Sequence, residues 1–312
     1  MEIHYAKVPV GRVSYSVNKK LVQGISSYLL NENVALNISR KRFERVNALS
    51  RLPAGVMVFQ AEYNGVPVEI VDPEHQSHAR TVLYCHGGGF CIGSPKTHRE
   101  LTAWLAKTLR ARIVVPDYRL APEYPYPAAP DDVLSVYRGL VDSGVSPKNI
   151  VIMGDSAGGN LAMVTLQRLK SQGEMLPAGA VLYSPWVDLR CMTESYVTKK
   201  TADPMLSGAW LRRMREHYCR GEALNNPELS PVLGDFSGMP PILIHVGSEE
   251  VLLNDSILLA RHLKASHLKE QGGGVQFKVW EKLWHVFQAQ AEFFEPARQS
   301  IHETSDFLAS VF

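Results

Sequence analysis

Ile150-Val151-Ile152-Met153-Gly154-Asp155-Ser156-Ala157-Gly158-Gly159-Asn160-Leu161 decides the fold. Four apolar residues form a strand that is apolar on both faces, the pattern of a covered parallel sheet. They run straight into Gly154-Asp155-Ser156-Ala157-Gly158, and a helical pattern follows from Asn160 to Leu169. A serine on so sharp a strand-to-helix turn has its hydroxyl held clear of the sheet in a strained backbone. Small residues two positions to either side let the chain double back closely. The helix that follows presents its positive dipole end to a developing anion. Ser156 is therefore the candidate nucleophile.

The same reading extends outward along the chain. Thr81 to Cys85 is a short apolar strand and ends in His86-Gly87-Gly88-Gly89-Phe90. Three glycines let backbone N–H groups turn toward a ligand unobstructed. Gly87, Gly88 and Gly89, with the N–H of Ala157, are the candidate oxyanion donors. Ile113 to Val115, Ala180 to Tyr183, Ile242 to Val246 and Phe277 to Trp280 are further apolar strands. Glu100–Leu109, Asp131–Val141, Ser256–Leu268 and Phe293–Leu308 have helical spacing. Val56 to Glu62 and Val66 to Val71 flank Asn64-Gly65, a hairpin turn. Alternation of this kind predicts an α/β fold with a mostly parallel central sheet flanked by helices.

A general base must take the serine proton, and histidine has the suitable pKa. His285 stands in Leu283-Trp284-His285-Val286-Phe287, just after the last strand pattern. An acid should lie in the loop after the strand 242–246 and orient that ring. Glu249, Glu250 and Asp255 are its candidates, and spacing alone does not separate them. Asp255 falls in the following helical stretch, where a capping or solvent-facing role is expected. The order serine, acid, histidine is that of the α/β-hydrolase fold.

Two stretches fall outside the alternation. Residues 14 to 50 read as one or two amphipathic helices. Residues 189 to 230, between two strands, are far longer than a usual crossover. Trp210, Met214 and Tyr218 recur there at helical spacing. The expected organisation is a catalytic domain of residues 51–188 and 231–312, with a helical cap formed by 1–50 and the insertion 189–230. In that reading Trp210, Met214 and Tyr218 contact substrate.

Composition bounds the function. With 45% hydrophobic and 21% charged residues the chain is ordinary globular protein. A net charge of +2 gives no overall field favouring nucleic acid or an anionic membrane. The basic stretch Arg40-Lys41-Arg42 reads as a solvated helix face. Cys85, Cys91, Cys191 and Cys219 form no CxxC pair, so neither a zinc site nor a disulfide framework is expected. Cys85 reads as a small buried hydrophobe. No run reaches the ~20 apolar residues of a membrane span, and Met1-Glu2-Ile3-His4 does not open a secretion signal. A cytoplasmic protein is expected, and its oligomeric state is open to a homodimer.

Four segments resemble the hormone-sensitive-lipase-like family of bacterial esterases (bacterial family IV). They are His86 to Phe90, Asp117-Tyr118-Arg119-Leu120-Ala121-Pro122-Glu123, Gly154 to Asn160, and Trp284-His285-Val286-Phe287. The similarity runs from about residue 55 onward. The resemblance implies an α/β-hydrolase with a helical cap and no metal or cofactor, acting on small-molecule esters through a serine acyl-enzyme. The family places its acid first in an Asp-Pro-Leu segment. Glu250-Val251-Leu252 matches it here, as in a subset with glutamate, and this favours Glu250 over Glu249. The resemblance gives Asp117, Arg119 and Glu123 the role of bracing the oxyanion loop. An amidase or a lactonase could use the same triad. Plant gibberellin receptors resemble the family but lack its histidine, so His285 argues against a non-catalytic receptor.

Overall fold

Thr81–Cys85 (β4) and Ile150–Asp155 (β6) are buried along their whole length and pair in parallel at the centre of the sheet. The computed structural model describes residues 5–6, 12–47, 52–74, 80–267 and 274–312. Among the described residues the sheet has nine strands. The remaining strands are Tyr5–Ala6 (β1), Val56–Tyr63 (β2), Val66–Pro73 (β3), Arg112–Pro116 (β5), Gly179–Tyr183 (β7), Ile242–Gly247 (β8) and Val275–Trp280 (β9). The order across the sheet is β1-β9-β8-β7-β6-β4-β5-β3-β2. Among the described strands only the β2–β3 hairpin and its junction with β5 are antiparallel. The α/β-hydrolase expectation of a mostly parallel sheet is met.

Alternate strand residues feed two cores. Leu83, Cys85, Ile152, Leu182 and Ile244 face Ala128–Asp142 (α4), Ala157–Ser171 (α5) and Leu253–His267 (α8). Val82, Tyr84, Val151, Met153 and Val181 face Pro95–Leu109 (α3) and Glu295–Val311 (α9). Both faces are covered, which is why these strands lack polar alternation. Cys85 is fully buried, and all four cysteines are buried thiols. The helix expected over Ser256–Leu268 begins at Leu253 and ends at His267; Leu268 lies outside the described residues.

Arg12–Leu29 (α1) and Leu36–Asn47 (α2) form the two helices expected in the N-terminal segment. Residues 1–4, 7–11 and 48–50 of that segment lie outside the described residues. The edge strand β1, parallel to β9, was not anticipated, because two residues carry no periodicity. The long insertion holds Ser195–Thr198 (α6) and Gly208–Cys219 (α7). Ser207 caps α7, its hydroxyl accepting from Trp210 N at 3.0 Å.

Candidate active site

Ser156 sits between β6 and α5 with φ +54° and ψ −120°. A non-glycine residue in that region is strained and persists only where its surroundings enforce it. Here Ser156 N donates to Tyr183 O at 2.9 Å, and Trp186 N donates to Ser156 O at 2.9 Å. Gly158 is required two residues on. A Cβ there would fall 1.9 Å from the carbonyl oxygen of Cys85, at the end of β4. That contact brings the head of α5 against the glycine loop.

The loop 86–93 is braced from beneath. Tyr118 stacks on His86 at 4.1 Å and donates its hydroxyl to His86 O at 2.7 Å. His86 is buried, and burial with the nearby His98 pushes its pKa down to about 3, so the ring is neutral. Gly88 adopts φ +117°, which a side chain would resist. Its carbonyl accepts from Cys91 N and Ile92 N, at 3.2 and 3.0 Å. Among the described residues the N–H groups of Gly88, Gly89 and Ala157 have no protein acceptor. Gly87 differs and corrects the sequence reading. Its N–H donates to Asp155 Oδ1 at 3.0 Å, so it is committed to the scaffold rather than to a ligand.

Asp155 is therefore a loop anchor that the motif reading did not assign. It also accepts from the Tyr84 hydroxyl at 2.7 Å. Burial alone would raise its pKa, but His98, Tyr84 and His86 outweigh burial and hold it below the ordinary value. Of the three residues given a bracing role, only Glu123 reaches the loop, and indirectly. It pairs with Arg40 of α2, and Arg40 Nε donates to Cys91 O at 2.7 Å. Arg119 instead pairs with Asp132 on α4, and Asp117 N donates to Pro67 O. Arg40 is thus a tether rather than part of a solvated face.

The acid and histidine loops are knitted together beyond β8 and β9. Glu249 N donates to Leu283 O at 3.0 Å and Ser248 N to Trp280 O at 2.9 Å. Glu250 is fully buried. It accepts from His285 Nδ1 at 3.0 Å, from Ser184 Oγ at 2.7 Å and from Gly247 N. A carboxylate with three donors meets the demand of a buried charge. Because that carboxylate only accepts, Nδ1 carries the ring proton and Nε2 keeps the lone pair. Burial opposes the imidazolium of His285. The Glu250 bond and the fields of Glu250, Asp203 and Asp155 overcome it, so the His285 pKa lies above the ordinary value.

The rival acids are occupied elsewhere. Glu249 accepts from Tyr15 Oη at 2.8 Å and Lys19 Nζ at 2.6 Å, both on α1. Asp255 lies in α8 but is fully buried, contrary to the solvent-facing expectation. It accepts from Asp188 N at 3.2 Å and Thr193 Oγ1 at 2.9 Å, tying the start of the insertion to α8.

Two residues of this neighbourhood were missed in the sequence. Ser184 links both loops, donating to Glu250 and accepting from Val286 N at 3.2 Å. Its signal was only a serine at the carboxyl end of β7. Asp203, in the insertion, accepts from Val251 N at 2.9 Å, Met205 N at 2.8 Å and Leu206 N at 3.0 Å. Burial, with Glu250 nearby, pushes its pKa up to about 6 against the opposing pull of His285 and those N–H groups. Nothing local in Thr201-Ala202-Asp203-Pro204 announces this contact.

Ser156 and His285 open into one cavity of about 200 Å³. They are not hydrogen-bonded to each other here, as is common before substrate binds. Gly88, Ile92, Leu101 and Trp284 line it, together with Val22, Ile25 and Leu29 of α1 and Phe43 and Val46 of α2. Trp210 closes another side with Met205 and Leu206. Met214 and Tyr218 do not line it, which corrects their assignment to substrate contact. They lie one and two turns further along α7. Met214 packs on Gly89, and Tyr218 stacks on Phe90 at 3.8 Å.

Comparison with known proteins agrees with this fold. A family model described as the alpha/beta hydrolase fold matches residues 82–289. An acetyl-hydrolase of Streptomyces hygroscopicus is 42% identical over 77% of this chain and 78% of its own. An esterase of Acinetobacter venetianus is 34% identical over 89% of this chain and 90% of its own. The crystal structure of an esterase from the bacterial hormone-sensitive lipase family superposes with a TM-score of 0.88. That pair is 32% identical over 98% of this chain and 99% of the other. The chain belongs to the alpha/beta hydrolase fold family, within its hormone-sensitive-lipase-like branch of bacterial esterases (family IV).

Proposed function

We propose that the protein hydrolyses carboxylic esters of short-to-medium acyl chains through an acyl-enzyme on Ser156. One observation carries the reading. A strained serine at a strand-to-helix turn shares a cavity with a histidine whose far nitrogen is held by a buried glutamate. Ser156 Oγ attacks the ester carbonyl while His285 Nε2 takes its proton. The new oxyanion is held by the N–H groups of Gly88, Gly89 and Ala157. His285 then passes the proton to the departing alcohol, leaving the acyl group on Ser156. Water, deprotonated by the same ring, attacks the acyl carbon and releases the acid. Glu250 keeps the proton on Nδ1 and stabilises the imidazolium throughout. The small, mostly apolar cavity supports acyl chains of limited length. In this reading α1, α2 and the insertion 189–230 act as a cap on the domain formed by 51–188 and 231–312.

The test uses nitrophenyl esters and anilides of increasing acyl length together with an organophosphate label. Ester hydrolysis should exceed anilide hydrolysis, and the label should fall on Ser156. Ser156→Ala should keep the fold and lose activity by about 10⁶-fold in kcat. Labelling at another residue, or an active alanine variant, overturns the assignment.

A further inference from the structure

We infer that α1 is an interfacial helix that seats the mouth of the cavity on an anionic phospholipid bilayer. Val17, Leu21, Ile25 and Tyr28 recur at intervals of four, four and three, so they form one stripe along α1. All four are exposed, from 38% for Ile25 to 59% for Val17. The neighbouring face, Asn18, Val22, Ser26 and Leu29, is the one buried against the molecule. The apolar arc of α1 is therefore wider than its own packing requires.

The stripe is continuous with the cavity, because Ile25 belongs to the stripe and also lines the cavity wall beside Val22 and Leu29. Its surroundings are basic. Between Tyr15 and Asn47 there are six lysines and arginines against Glu32 and Glu44. That stretch carries a formal +4 within a chain whose total is +2. Lys19 and Arg40 are engaged with Glu249 and Glu123. Lys20, Lys41 and Arg45 are exposed, and the Arg42 guanidinium lies 4.2 Å over the Tyr28 ring at one end of the stripe. Aliphatic residues beside an aromatic ring and cations match the layers of a bilayer surface. There the apolar stripe reaches the acyl boundary, and the cations stay with anionic headgroups. A second copy of the chain fits less well. Four partly exposed side chains on one helix supply far less than the roughly 800 Å² per partner of a stable protein interface.

Vesicle sedimentation tests this with the wild-type chain and with Ser156→Ala. Binding by the inactive variant keeps the result independent of the esterase reading. Both proteins should pellet with vesicles containing phosphatidylglycerol and far less with pure phosphatidylcholine. Raising the salt to about 1 M should weaken the binding, since the Debye length then falls to ~3 Å. The double variant Val17→Ser, Leu21→Ser changes no residue that lines the cavity. It should hydrolyse dissolved nitrophenyl acetate at the wild-type rate and lose roughly tenfold or more in vesicle affinity. Lys20→Glu with Lys41→Glu should remove the preference for phosphatidylglycerol. The proposal falls if wild type stays in the supernatant, or if the serine variant binds as tightly as wild type. It also falls if that variant turns a dimer into a monomer on size exclusion, which would give the stripe to a second copy.

Discussion

The turns at the strand ends and the helices above them are built to different rules. At the strand ends the scaffold carboxylates and the linking hydroxyl have fixed partners: Glu250 has three donors, Asp155 holds both Tyr84 and Gly87, and Ser184 spans two loops. The covering wall is tied at its edges, by Lys19 to Glu249, by Arg40 to Glu123 and the carbonyls of Cys91 and Ala121, and by Asp203 and Ser195 to Val251. The side chains it turns to the cavity are mostly apolar, Val22, Ile25, Leu29, Phe43, Leu206 and Trp210 among them. Chemistry needs atoms held to fractions of an ångström, whereas a hydrophobic wall needs only volume and shape. A change at the strand ends should therefore act on rate, and a change in the wall on substrate choice.

The largest expected break in this contrast comes from the neighbouring glutamates. Glu250→Ala removes the partner of Nδ1 and strands the Ser184 hydroxyl and the Gly247 N–H. It should lower kcat by about 10⁴-fold. Glu249→Ala removes only partly exposed ties to Tyr15 and Lys19 on α1. Its kcat on soluble esters should stay within about threefold of wild type, with a stability loss of about 1 kcal/mol or less. A Glu249 variant as inactive as the Glu250 variant would move the acid to its neighbour. Steady-state kinetics and thermal melts of the pair suffice.

Asp203 is where the two regions meet, so its effect should be intermediate. One carboxylate oxygen takes the N–H of the residue after Glu250, and the other takes two N–H groups of the wall. In the proposed mechanism His285 must be neutral to accept the serine proton, so its raised pKa should place the acid limb of kcat/KM above the ordinary imidazole value near 6.5. The charges responsible are Glu250, Asp203 and Asp155. Asp203→Asn removes one of them. It should shift that limb toward lower pH while reducing kcat by roughly tenfold to a hundredfold. A purely structural role would lower the rate with the limb unmoved.

These contacts also explain what could be read in the sequence. Gly154 to Gly158, the glycines after β4 and Trp284-His285 are local signals: a turn of fixed geometry needs small or positive-φ residues at fixed spacing. Nothing comparable marks Ser184 or Asp203, whose partners in the acid loop, Glu250 and Val251, lie 66 and 48 residues away along the chain. Gly87 was misread because a glycine run does not say which N–H faces the ligand; the carboxylate of Asp155 decides that. The two glutamates could not be separated by spacing, because only the tertiary fold turns one toward His285 and the other toward α1. Helical spacing identified one buried face in the insertion but not its neighbours. Met214 and Tyr218 therefore went to the substrate with Trp210, although they pack against the loop.

The smallest expected effect on rate, and the sharpest on selectivity, belongs to that helix. Trp210, Met214 and Tyr218 share one face of α7 and are all buried. Only Trp210 borders the cavity, so only its truncation extends space that substrate already enters. Trp210→Ala should move the preferred acyl chain longer by roughly two methylenes or more, with kcat on the best ester little changed. Met214→Ala instead opens a void between α7 and Gly89. It should cost about 2–5 kcal/mol of stability, as buried Met-to-Ala changes do, with the chain-length profile unaltered. A chain-length series measured beside thermal melts separates the outcomes. If Met214→Ala shifts the profile as far as Trp210→Ala does, the oxyanion loop takes part in choosing substrate. The division between a rigid reacting floor and a selective wall would then be wrong.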